Sequence, residues 1–184
     1  MATDTQSAGA TELPGGTWGV DPVHSVATFS VRHMVVGTFR GEFAEIAATL
    51  TDGKLEGRVQ VASLLIRNER LKGHLLSPDF FDAERYPEIV YESSSLAVNN
   101  GVLTSEGTIT VKGNSVPVTA TGRLAGPVVT LGDVEKIGVD LDTTVDLEAI
   151  GLAYNAPLPK GGFVLGKDAT ISVTLELALV DDED

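Results

Sequence analysis

Arg67-Asn68-Glu69-Arg70-Leu71-Lys72-Gly73-His74-Leu75-Leu76-Ser77-Pro78-Asp79-Phe80-Phe81-Asp82-Ala83-Glu84-Arg85-Tyr86-Pro87 is the stretch whose reading decides the fold. On either side of it apolar and polar residues alternate as they do in strands; here the alternation stops. Leu71, Leu75 and Leu76 stand at i, i+4 and i+5, which puts them on one face of a short helix and leaves Glu69, Arg70 and Lys72 wet. Ser77-Pro78-Asp79 is a start signal for a second turn. Serine caps it, and proline is tolerated at the first helical position because its missing N–H would be unpaired there anyway. Phe80 and Phe81 diverge by about 100° on a helix, so both are buried only if the segment lies over an apolar opening. The stretch therefore predicts a helical insert at about residues 68–84, a plug or lid on an otherwise all-β chain.

Outward from the insert the strands follow in order. Residues 18–20 and 26–33 read as one strand broken at Asp21-Pro22, where proline removes a ladder donor. Residues 38–51 form a second strand, turned by Asp52-Gly53 into a third at 54–66. Beyond the insert, 88–99 turns at Asn100-Gly101 into 102–111, and Lys112-Gly113-Asn114 leads into 115–124. The clearest alternation comes last: Val139, Leu141, Thr143, Val145 and Leu147, then Ile171, Val173, Leu175, Leu177 and Leu179, each set interleaved with polar residues. About eight strands, most of them long, favour closure into an antiparallel up-and-down barrel, because closure removes exposed edges.

An eight-stranded barrel is either filled by side chains or holds one small ligand. Aromatic residues make up only 5% of the chain, too few to fill a wide interior. Ala44, Ala47, Ala48, Ser93, Ser94, Ser95, Ala97 and Ala120 are small strand residues that would leave a cavity if they faced inward and a solid barrel if they faced outward. Periodicity leaves the two open.

Composition excludes several classes of function. Thirteen basic against 26 acidic side chains, a net charge of −13, argue against a nucleic-acid partner or an anionic bilayer. The absence of cysteine removes disulfides, thiolate metal sites and cysteine nucleophiles. No run reaches membrane-helix length, so stable membrane insertion is not expected, and residues 1–16 lack a Sec signal pattern, giving the expectation of a cytoplasmic protein. Residues 1–16 read as a disordered lead-in, 17–180 as one domain and 181–184 as an acidic tail. Asp21, His24 and Ser25 have the residue types of a hydrolytic triad, yet triad members converge from separate segments, and bonding to local backbone at a strand break is the simpler reading. His24, His33 and His74 could meet at a metal, although nothing in their spacing requires it, and neither a metal nor a cofactor is expected. Asp79 and Asp82 have the spacing of paired carboxylates, but Asp79 in a first helical turn suits the helix dipole without chemistry.

The motifs together resemble the YceI-like family: Trp18, Asp21-Pro22-Val23-His24-Ser25, Phe29-Ser30-Val31-Arg32-His33-Met34, Gly73-His74-Leu75, Ser77-Pro78-Asp79-Phe80-Phe81-Asp82, Tyr86-Pro87-Glu88-Ile89 and Gly107-Thr108-Ile109-Thr110-Val111-Lys112-Gly113. The likeness spans about residues 17–180. Two stretches depart from the family's pattern: Leu71-Lys72, where Arg-Asp is usual, and residues 146–152. The resemblance implies a lipocalin-like eight-stranded barrel that binds a polyisoprenoid, of quinone or prenyl phosphate type, without transforming it. The expected tail site is Phe29, Phe39, Phe43, Leu71, Leu75, Phe80, Phe81 and Tyr91, with His33, Arg70 and His74 at the polar end. The rival readings are an enzyme acting on a small hydrophobic substrate and a solid barrel that binds proteins. A homodimer is compatible with each.

Overall fold

The computed structural model describes residues 10–181. Its strands are β1 (Ala10–Thr11), β2 (Thr17–Val20), β3 (Val26–His33), β4 (Gly37–Phe43), β5 (Ile46–Thr51), β6 (Lys54–Gln60) and β7 (Leu64–Leu65), then, after helix α1 (Glu69–Leu76), β8 (Glu88–Asn99), β9 (Val102–Val111), β10 (Asn114–Val129), β11 (Glu135–Asp146) and β12 (Leu165–Leu179). Antiparallel pairing runs β11-β10-β9-β8-β6-β5-β2-β12 and closes through β11 to β12. The expected eight-stranded antiparallel barrel is thus the observed one.

Three of its eight strands are built in halves. β2 and β3 lie end to end along β12, with Trp18 opposite Leu179 at one end and His33 opposite Leu165 at the other. The sequence reading of an unbroken strand over 38–51 needs correction: β4 and β5 are separated at Ala44-Glu45, where the Ser63 carbonyl and hydroxyl accept the two backbone N–H groups at 3.1 and 3.0 Å. Residues 54–66 break likewise at the 3-10 turn Val61–Ser63. As a result β4, paired with β3 along its length, takes β7 as its other neighbour. The gap so opened between β7 and β8 is bridged by residues 66–87, the insert.

Asn68 caps α1, its side chain accepting the Leu71 N–H at 2.9 Å. Ser77 does not cap a second helix; its hydroxyl donates to the His74 carbonyl at 2.6 Å and so closes α1. The Ser77 carbonyl then accepts the N–H groups of Phe80 and Asp82, folding 77–82 into a turn. Of the three leucines predicted to face inward, Leu75 is buried and Leu76 half-buried, whereas Leu71 is exposed. A helix of two turns lying over an opening shades a narrower stripe than the i, i+4, i+5 set spans.

The lead-in is tied down sooner than the sequence suggests, since Ala10 and Thr11 pair with Asn99 and Val98 of β8. Residues 1–9 and 182–184, which hold the first part of the expected lead-in and most of the acidic tail, lie outside the described residues.

Candidate functional site

The barrel interior has two unlike halves. At the end away from α1, Trp18, Leu50, Leu103, Ile137, Val139 and Leu177 are almost wholly buried and pack into a solid core. Towards α1, Phe29, Ile46, Ile89, Tyr91, Ile171 and Val173 point inward yet stay half-exposed, because they face empty space. That cavity encompasses about 1210 Å³ of atom-free space, part of it open to solvent. Thr28, Arg58, Tyr91 and Thr143 are its only lining residues with a polar side chain.

Tyr91 marks the boundary between the halves. Its ring crosses Gly107, and its hydroxyl bonds the buried Ser105 hydroxyl at 2.5 Å. Burial pushes the phenol above its usual pKa, partly offset by that bond. Ala48, Ala120, Leu55, Leu141 and Leu175 complete the floor.

The opposite end is covered by two segments. The insert contributes Phe80 and Phe81, both buried, with ring centroids 5.0 Å apart. Phe81 also stands edge-on to Phe29 and Phe43, each at 6.1 Å, and Phe39 joins the cluster through Phe29 at 6.1 Å. Backbone bonds from Phe81 to Leu75 and from Ala83 to Leu76 fix the turn to α1. The second cover is the corner after β11, where the Asp146 carboxylate accepts the N–H groups of Glu148 and Ala149 at 2.9 and 3.2 Å. The Ala149 N–H, with Lys167 nearby at 3.4 Å, holds that carboxyl below its ordinary pKa. Leu147, Ile150 and Leu152 are thereby turned into the barrel.

Of the sequence-predicted site residues, the structure brings Phe29, Phe43, Phe80, Phe81 and Tyr91 to the cavity wall. Phe39 and Leu75 pack behind it in the same cluster. Leu71, Arg70 and His33 are exposed, and His74 is half-buried with its ring 5.0 Å from Tyr154. The polar trio lies around the covered end and does not line the cavity. The expectation missed the β9 to β12 wall, including Ile109, Val118, Val145, Ala169 and Ile171. Alternation marks most of these as inward-facing, but inward positions of a barrel read the same whether they face a void or a packed neighbour.

Among the small residues, Ala47, Ala48 and Ala120 line the cavity and Ser93 is buried, while Ala44, Ser94, Ser95 and Ala97 face out. A bulge explains part of this split. Ser93 pairs with Gly107 and Ser95 with Glu106, so the strand changes phase and presents Leu96 and Val98 inward.

The candidate chemistry elsewhere resolves into structure. Ser25 does not face His24; its hydroxyl accepts the Glu176 N–H at 2.9 Å. Asp21 bonds His24 at 2.9 Å and Lys136 at 3.0 Å, and Lys136 reaches Glu176 at 2.6 Å. Asp21, His24 and Glu176 are the one grouping of potential metal ligands among the described residues, and the Lys136 ammonium already pairs with both of its carboxylates. His33 and His74 are elsewhere, so the three histidines do not converge. Asp82 is buried beside Arg85 at 3.8 Å, while Asp79 is exposed.

Comparison with known proteins matches this geometry to a family. A UPF0312 protein of Staphylococcus aureus strain N315 is 26% identical over 167 residues, covering 86% of this chain and 95% of that one. Burkholderia cenocepacia BcnA shares the fold with a TM-score of 0.72 at 19% identity, over 85% of this chain and 98% of that one. A polyisoprenoid binding domain from Saccharophagus degradans does so with a TM-score of 0.67 at 10% identity, over 89% and 98%. With the YceI-like domain matched across residues 18–177, the chain belongs to the YceI-like family, as its sequence motifs led one to expect.

Proposed function

We propose that this protein binds a polyisoprenoid lipid, with a head group of quinone or prenyl phosphate type, and carries it unchanged. The observation that supports this reading is the half-hollow barrel, an apolar chamber with a solid floor and an aromatic cover. A fold neighbour named for polyisoprenoid binding adds to it. The tail lies against Phe29, Phe43, Phe80, Phe81 and Tyr91 and along the β9 to β12 wall. His33, Arg70 and His74 stand outside the chamber, so the head group emerges beside α1 to meet them. Each buried methylene contributes about 0.8 kcal/mol, close to fourfold in affinity, which lets a branched tail bind with few polar contacts.

A competition series of prenyl alcohols tests this. Affinity rises with chain length until the chamber is full and then levels off. Flat affinity across the series would sink the proposal, and a chemically altered alcohol recovered after incubation would move the protein to the enzymes.

A further inference from the structure

The exposed apolar residues are not scattered at random around the covered end. Met34, Val35 and Val36 form the β3–β4 turn, Leu71 lies on α1, and Tyr154 and Phe163 lie in the loop before β12; all six are exposed, Val36 at 88%. Three contacts join these segments into one face. The Met34 N–H donates to the Val164 carbonyl at 2.8 Å, Val35 packs over Gly162, and His74 meets Tyr154.

Charge is segregated onto the same face. Residues 32–36, 67–74 and 153–164 hold five basic residues, Arg32, Arg67, Arg70, Lys72 and Lys160, and one acidic residue, Glu69. The whole chain has 13 and 26, which leaves eight basic and 25 acidic residues for everything else. None of the five cations forms a salt bridge among the described residues, whereas Lys54, Arg58, Arg85, Arg123, Lys136 and Lys167 all do. Arg32 instead donates to the Val35 carbonyl at 2.6 Å and the Thr38 hydroxyl at 3.1 Å, bracing the apolar turn.

Apolar tips ringed by unpaired cations fit the interface of an anionic phospholipid bilayer. We infer that this face docks reversibly on such a bilayer. Asp79 and Glu84 of the insert and Glu148 of the corner after β11 are also exposed at the covered end; the acidic residues along the barrel towards Trp18 lie farther from the bilayer, where salt screens charge beyond roughly 8 Å. Net charge alone argues against an anionic membrane, but it averages over a distribution the fold keeps apart. Docking sets the insert and its phenylalanine cover against the lipid, and in that role it rests on the carrier reading above.

The test is sedimentation of the full chain with vesicles of phosphatidylcholine, alone or with equimolar phosphatidylglycerol. Partition should require phosphatidylglycerol, fall with added salt, and drop about 25-fold in Lys72→Gln with Lys160→Gln, at about fivefold for each cation near the surface. Val36→Asp should also abolish it, while Leu131→Ser, at the exposed turn between β10 and β11, should not. Absence of partition, or an equal loss with Leu131→Ser, would overturn the inference. So would a dimer that Val36→Asp converts to monomer in light scattering, which assigns the face to a second copy. Prenyl alcohol binding by the same proteins without vesicles separates the two ideas: its failure with docking intact removes only the carrier reading, and docking lost with alcohol binding intact removes only this one.

Discussion

At Gly107 a methyl group would stand 2.4 Å from the Glu92 carbonyl oxygen and 2.7 Å from the Tyr91 hydroxyl, so glycine here is what lets the Tyr91 ring lie flat across β9. Gly107→Ala should force the ring off Ser105 and destabilise the barrel by about 1–3 kcal/mol, as overpacking generally does. Urea unfolding measures the loss, and the phenol should titrate higher still, because the Ser105 bond that offsets burial is gone. A second prediction concerns His24, which its hydrogen bond to Asp21 holds above the ordinary imidazole pKa. The bond from His24, with that from Lys136, holds Asp21 well below the ordinary carboxylate range. Stabilisation from a raised histidine is complete below its unfolded value of about 6.5 and is lost as pH rises through the folded value; that from a depressed aspartate is present above about 3.9 and is lost in strong acid. The melting-temperature gap between wild type and Asp21→Asn should therefore be widest between about pH 4 and 6.5 and narrow on both sides. A gap that stays level from about pH 4 to 9 would show that Lys136 alone carries the contact.

The insert is the element whose role is most open to test. Phe80 and Phe81 are buried at the covered end, whereas Leu71, predicted beside them, is exposed. Phe80→Ala and Phe81→Ala should each cost about 3–5 kcal/mol, and should also release a bound prenyl alcohol faster by uncovering the chamber. Leu71→Ala should change stability by no more than about 0.5 kcal/mol. Thermal melts and ligand off-rates on the three variants check both statements. Equal effects at Leu71 and Phe81 would mean that α1 lies closer to the barrel in solution than its exposed leucine implies.

Across the whole molecule, the division into a hollow and a solid half predicts separable consequences. Ala120→Phe adds a ring at the cavity floor and should lower the chain length at which prenyl alcohol affinity levels off. Leu103→Ala, in the solid half, should cost about 2–5 kcal/mol while leaving that chain length unchanged. If both variants shift it, the chamber runs further towards Trp18 than the packing around Leu103 and Leu177 allows.

Most of the strands, their antiparallel order, the barrel closure and the presence of the insert are legible in the chain alone, because each follows from local chemistry: period-two alternation, Asp-Gly and Asn-Gly turns, and a leucine set; the breaks at Ala44-Glu45 and Val61–Ser63 and the role of Ser77 are not. The sequence also marked Phe80 and Phe81 for burial by their size and setting, while Phe29, Phe43 and Tyr91 entered through the family resemblance. That the interior is half empty follows from packing across the barrel, since a void is set by how side chains from opposite walls meet. Ala120 and Ile171 read as ordinary inward residues until Leu141, Tyr91 and the covering phenylalanines are placed around them. The same holds for the phase change at Ser93 to Ser95, which depends on the partner strand, and for the cationic face, assembled from three segments that are distant in the chain. Pairing and packing between remote residues fixed these features, and alternation along a single strand carries no record of either.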